Sequence, residues 1–175
     1  VGREGEGGER GGARRDYLRH DLSLFEASAE KAISLNPCNF GTLSTLASWY
    51  AFFQKWDKSL ELMKKSLAVN PNLPGWCWST LALYYYVHGD YENAYVEAKK
   101  IMMPGCLWDG MFRVISSAKL GLKEEMASGR QDLLKIYPDF ETNGPTIVAH
   151  NICNKEYIDI ICQGLAEGGI VFKKR

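Results

Sequence analysis

Lys65 to Asn72 reads KSLAVNPN, and Lys31 to Asn39 reads KAISLNPCN. The two stretches are near-copies, and their prolines, Pro37 and Pro71, stand 34 residues apart. In both, apolar residues at helical spacing run into Asn-Pro. The residue before a proline is pushed out of the helical region, so each Asn-Pro marks a helix end. A helix end repeated at that interval implies a repeated helical unit.

The unit between the two ends runs from Phe40 to Pro71. Leu43, Leu46, Ala47, Tyr50 and Phe53 recur at three- and four-residue intervals, the apolar stripe of one helix. A break around Gln54-Lys55 separates it from Leu60, Met63, Leu67 and Val69, so the unit reads as helix, tight turn, helix. Upstream, about Ala13 to Leu35 favours helix, with Leu18, Leu22, Phe25, Ala29, Ala32 and Ile33 as its stripe. Downstream, Trp78, Leu81, Ala82 and Tyr85 make a helix, and His88-Gly89-Asp90 makes a turn. Asp90 is placed to N-cap the next helix, through Ala94 and Ala98, which Pro104-Gly105 stops. A weaker fourth unit follows. Met111, Ile115 and Ala118 lead to Leu120-Gly121, and Leu133, Leu134 and Ile136 lead to Tyr137-Pro138. Thr142 to Pro145 reads as a loop. Tyr157, Ile158, Ile160, Ile161 and Leu165 support a last helix, ended by Gly168-Gly169. The tail VFKKR, Val171–Arg175, is short, basic and expected in solvent.

These units resemble the tetratricopeptide repeat, whose 34-residue helix-turn-helix carries Trp, Leu-Gly, Tyr, Ala, Phe and Pro at set positions. The third unit matches with Trp78, Leu81-Ala82, Tyr85 and Ala94, and has Ala98 in the aromatic slot. The second matches with Leu43, Leu46-Ala47, Tyr50, Ser59, Met63 and Pro71. In the first only the second helix fits, through Ala29, Ala32 and Pro37; in the fourth Gly121, Met126 and Pro138 fit, while Arg113-Val114 replaces Leu-Gly. The match covers about residues 25–140. The resemblance implies an all-α superhelical array of antiparallel helix pairs, three to four repeats and a C-terminal capping helix. Small residues such as Ala47 and Ala82 would let paired helices approach closely. The expected organisation is a flexible Gly/Arg/Glu-rich leader over residues 1–12, the array over 13–140, then a loop, capping helix and basic tail over 141–175.

In such repeats the first helix of each pair lines a concave groove. That places Gly41, Ser44, Ser48 and Ala51 in the groove, then Trp76, Ser79, Leu83 and Tyr86, then Trp108, Met111, Ile115 and Ala118. Chaperone-binding repeats hold a C-terminal carboxylate with Lys, Arg and Asn at these positions. Here they are hydroxyl, aromatic or aliphatic, so the expected ligand is an apolar or aromatic peptide, a partner helix or a second copy of the chain. The chain's own ends could also fill the groove, and a register shifted by one residue would turn these aromatics into core. A second resemblance concerns Leu133–Phe140, Asn154–Tyr157, Gly164-Leu165 and Gly169-Ile170. It is to the end of bacterial repeat arrays that follow class III adenylate cyclase or winged-helix regulator domains. Those arrays usually end Gly-Leu-Arg-Lys-Ala-Gly-Leu, and here the basic pair is replaced by Ala166-Glu167. It implies a regulatory or dimerisation module whose effector domain lies upstream.

The 175 residues are 46% hydrophobic and 24% charged, enough for a sizeable core, and the formal net charge is zero. A neutral chain lacks the general attraction to nucleic acid or acidic membrane. No apolar run approaches the roughly 20 residues that span a bilayer. VGREGEGGERGGARR has no apolar centre and is no signal peptide, although the first residue is not Met and a preceding segment is conceivable. Five cysteines without a CxxC pair read as free thiols, which points to the cytoplasm. No phosphate-binding loop is present. His150 and Cys153 give two metal ligands where zinc needs three or four from protein, and no orienting group accompanies them. Glu124-Glu125 sit at a helix start, where they suit the helix dipole. The expectation is a cytoplasmic protein–protein interaction scaffold with no cofactor, no metal and no catalytic residues.

Overall fold

The computed structural model describes residues 12–14, 16–19, 21–150, 152 and 154–173. The regular structure among them is all helical, with no strand. In order come α1 (Leu22–Leu35), α2 (Phe40–Phe52), α3 (Trp56–Val69), a 3-10 turn (Gly75–Cys77), α4 (Trp78–Val87), α5 (Tyr91–Lys99), α6 (Leu107–Leu120), α7 (Lys123–Ile136), α8 (Phe140–Ala149) and α9 (Lys155–Glu167). The chain divides into two compact units, Val1–Leu73 and Pro74–Arg175. The leader expected over residues 1–12 lies outside the described residues except for its last residue.

Local chemistry sets the helix ends. Both Asn-Pro pairs stop helices, α1 at Leu35 and α3 at Val69. Asp90 caps α5 as expected, its carboxylate accepting the Asn93 N–H at 3.1 Å. Asp21, Asn39 and Asn154 do the same for α1, α2 and α9. Each satisfies an N–H that has no carbonyl partner in its own helix. Glu124 and Glu125 fall in the first turn of α7.

Three hairpins, α2–α3, α4–α5 and α6–α7, close with one shared turn. Each uses a residue at positive φ: Gln54 at 60°, Gly89 at 81° and Gly121 at 68°. The next N–H then reaches back five residues, from Lys55 to the Tyr50 carbonyl, Asp90 to Tyr85 and Leu122 to Ser117, each at 2.9 Å. That bond satisfies a carbonyl left open at the helix C-terminus. Glycine takes this conformation freely, whereas a side chain at Gln54 meets the following carbonyl. Gln54→Gly is therefore expected to stabilise the first unit by about 1 kcal/mol, read as a higher Tm. A lower Tm would mean that Gln54 side-chain contacts outweigh the strain.

In the first unit, small residues bring α2 and α3 together. Ala47 is fully buried, and Ser59 Oγ donates to its carbonyl at 2.8 Å. Phe25 of α1 closes the other side, its ring centroid 4.8 Å from Tyr50 and 5.2 Å from Phe53. Leu18 departs from the expected stripe and is 56% exposed. The reason is that α1 begins at Leu22 behind the Asp21 cap, so Leu18 is not on that helix.

In the second unit, α4 packs on α5, and α6 packs against α4, α5, α7 and α9. Ala82 and Ala94 are fully buried. The close approach of α6 and α7 is made by Gly110 and Gly129 instead of the Arg113-Val114 position. A Cβ on Gly110 would stand 3.1 Å from Leu133 Cβ, and one on Gly129 3.2 Å from Val114 Cγ2.

Residues 142–145, read as a loop, belong to α8, with Pro145 inside the helix. Proline has no N–H, so the carbonyl four residues back loses its helical partner. That carbonyl is Glu141's, and the Lys173 N–H supplies the missing bond at 2.8 Å. Lys173 Nζ also pairs with the Glu141 carboxylate at 3.1 Å. Phe172 lies against Phe140, and a Cβ on Gly144 would stand 2.8 Å from its ring. The tail expected in solvent is thus docked on α8 through Phe172 and Lys173, with Val171 exposed. Residues 174 and 175 lie outside the described residues.

Candidate functional site

The expected groove positions fall into two sets, one in each unit. In the first unit Ser44 has no exposed surface. Its Oγ lies 2.6 Å from Ser66 Oγ, and Ser66 in turn donates to the Phe40 carbonyl at 3.0 Å. Ser44 therefore bridges α2 to α3 and faces no groove. Ala51 is buried as well. Ser48 is half-buried, and its hydroxyl donates to the Ser44 carbonyl at 3.1 Å. That bond is the usual way a helix interior absorbs a serine.

In the second unit most positions are covered. Leu83 and Tyr86 are almost fully buried, and Met111 and Ile115 have no exposed surface. Ser79 is buried, its hydroxyl donating to the Trp76 carbonyl at 2.6 Å. Much of the cover is α9. Gly164 of α9 sits so close that a Cβ there would stand 2.0 Å from Tyr86 Oη and 3.1 Å from Ile115 Cβ. A Cβ on Gly168 would stand 2.3 Å from Val114 Cγ1. Lys119 of α6 ties the end of α9 through Glu167 at 2.6 Å, and that bond holds the Glu167 carboxyl below its usual pKa. The face bearing Tyr86 and Ile115 is thus covered by α9. Trp76, in the 3-10 turn, and Trp108, stacked on Phe112 at 5.9 Å, remain half-buried.

Tyr86 carries an oddity. Its hydroxyl is buried and has no hydrogen-bond partner. Burial first, then the Glu167 charge, pushes its pKa up, so the proton stays on the oxygen with no acceptor. Such a group costs about 1–3 kcal/mol of desolvation.

One cluster of charged groups in the second unit is paired internally. Asp109 is buried, accepting the Met103 N–H and Arg113 Nε, both at 3.2 Å. Arg113 Nη2 reaches Asp132 Oδ2 at 2.5 Å. Burial pulls the Arg113 pKa down, but the bond to Asp132 and the Asp109 charge more than offset it and leave it raised. Arg113 thus clips α6 to α7 beside a cleft of about 330 Å3.

The thiol of Cys162 is pushed up to about 11 by burial and then by Asp159, which keeps it protonated near neutrality. His150 is exposed, and Cys153 lies outside the described residues. Among the described residues no group of three or more His, Cys, Asp or Glu could hold a metal ion, and no helix is long and apolar enough to cross a membrane. No protein-family model matches the chain, and no curated protein matches it in sequence. The sequence reading expected a capping helix but not the residues of its contact, because Gly164 looks like a helix weakener and Gly168 like a helix stop. Their spacing of one helical turn is the only signal that they mark a face.

Proposed function

We propose that the chain is a helical repeat module of the tetratricopeptide type that binds a protein partner and carries no reaction centre of its own. The observation that supports this most is the turn shared by the three hairpins, with the same back-bond from Lys55, Asp90 and Leu122. The same back-bond also ends α9, from Ile170 to the Leu165 carbonyl at 3.0 Å, so what supports the reading is its recurrence in three successive hairpins, as in repeat domains that present surfaces for partners. Within the second unit we assign the contact to Trp76 and Trp108, because the face bearing Tyr86 and Ile115 is taken by α9. Tryptophan is enriched among residues that dominate binding energy, and an apolar segment suits it best. A reducing compartment, the cytoplasm, fits the free thiols of Cys38, Cys106 and Cys162.

Replacing Trp76 and Trp108 together with alanine is expected to reduce partner capture from native lysate by at least about tenfold while far-UV helicity stays near wild type. Collapse of the fold instead would show that both are core and would end this assignment. Light scattering decides whether the partner is a second copy, since a strict monomer at high concentration removes that option.

A further inference from the structure

The first unit contains a cleft of about 420 Å3 between α1 and the α2–α3 turn. Glu26 and Glu30 stand on its α1 wall, one turn apart, and neither has an ion-pair partner among the described residues. Like charges at that spacing repel each other along a helix. The facing wall carries Tyr50, Trp56 and Asp57. Tyr50 is 2% exposed, and its hydroxyl has no protein partner among the described residues and is not fully enclosed, so the oxygen opens on the cleft. Burial, then the charges of Glu26, Glu30 and Glu61, holds its pKa up to about 12. A phenol kept protonated still offers lone pairs to a donor.

Two lysines share the rim, and the charges can be followed one by one. Lys58 is held by Glu61 at 3.3 Å, and Lys65 holds the same carboxylate at 2.6 Å. Lys55 and Asp57, both exposed at the turn, balance each other in sign. Lys58 and Lys65 share that one carboxylate and leave one positive charge over, so Glu26 and Glu30 keep the lining at one net negative charge. Gln54, at the positive-φ position of the α2–α3 turn, forms part of the same wall.

We propose that this cleft binds an organic cation, a primary ammonium or guanidinium on an aliphatic stem, with its charged end between Glu26, Glu30 and the Tyr50 hydroxyl and its stem along Trp56. Ammonium and guanidinium supply donors only, which suits two carboxylates and an unpartnered hydroxyl. An indole wall favours a cation further. A dehydrated metal ion is a poor fit, because no three-ligand group exists among the described residues. The same chemistry has two sources, a Lys or Arg side chain of another protein and a free polyamine. The site does not depend on the tryptophan face assigned above.

The test is calorimetric titration of the full chain with spermidine and with Ac-Gly-Arg-Gly-NH2, using Ac-Gly-Glu-Gly-NH2 as the control. Saturable binding of a basic probe and none of the acidic one is expected, and the preferred basic probe identifies the source. Glu26→Gln with Glu30→Gln should weaken binding at least about tenfold, and Tyr50→Phe about threefold, with unchanged helicity. Absence of saturable binding in the millimolar range overturns the proposal. So does full affinity in the double glutamine variant. An unchanged Tyr50→Phe affinity also overturns it, because the hydroxyl is what separates this cleft from ordinary acidic surface.

Discussion

Gly164→Ala should destabilise the chain by about 2 kcal/mol, and adding Tyr86→Phe should restore the loss. Alanine is the better helix former, so propensity alone favours the change by about 1 kcal/mol. The fold opposes it. The new Cβ would stand 2.0 Å from Tyr86 Oη, a distance no packed pair tolerates. Tyr86 is 2% exposed, so its ring has nowhere to swing. Either α9 lifts from α6 or α4 shifts, and overpacking of this kind costs about 1–3 kcal/mol beyond any propensity gain. Removing the hydroxyl changes the nearest contact to Tyr86 Cζ at 3.1 Å, beside Ile115 Cβ at 3.1 Å, which is tight but close to contact. Tyr86→Phe alone should be neutral or stabilising, because the lost hydroxyl has no partner. Urea unfolding of the four proteins gives the coupling directly. Values that simply add would show that α9 does not sit on Tyr86.

Helix ends and turns are legible in the sequence because their chemistry is local. Asn36-Pro37 and Asn70-Pro71 stop helices, Asp90 caps one, and Gly89 and Gly121 turn the chain. Which face a first helix buries is far less legible. The spacing in α4 favours Leu81, Ala82 and Tyr85 as its inner stripe, but the buried set is Ser79, Thr80, Ala82, Leu83 and Tyr86. Three consecutive tyrosines give no contrast between inside and outside. Helix α6 is a stronger case. It is buried from Leu107 to Ser117 except at Trp108 and Arg113, because neighbours surround it. Its sequence is amphipathic, with Asp109, Arg113, Ser116 and Ser117 on one side, yet Asp109, Ser116 and Ser117 on that polar side are buried too, which the apolar spacing does not announce. Two features rest on partners distant in the chain. Pro145 reads as a breaker until Lys173 supplies the missing donor, and Gly164 reads as a weak helix residue until Tyr86 lies beneath it. No local pattern announces either.

Arg113→Ala should cost about 3 kcal/mol, and Asp132→Ala less than about 1 kcal/mol, although both break the same ion pair. The difference lies in what each change leaves behind. Without Arg113, the Asp109 carboxylate stays buried with only the Met103 N–H to satisfy it. An uncompensated buried charge is the costly outcome, more so than the lost attraction. Without Asp132, Arg113 keeps Asp109 at 3.2 Å, and what is lost is a contact to a side chain that is 52% exposed. Water replaces such a partner at little cost. Arg113→Lys should resemble the alanine variant more than the native chain, because one ammonium cannot span two carboxylates as a planar guanidinium does. Chemical unfolding of the three variants checks the order. Equal losses for Arg113→Ala and Asp132→Ala would show that Asp109 is solvated and that the clip between α6 and α7 carries no buried charge.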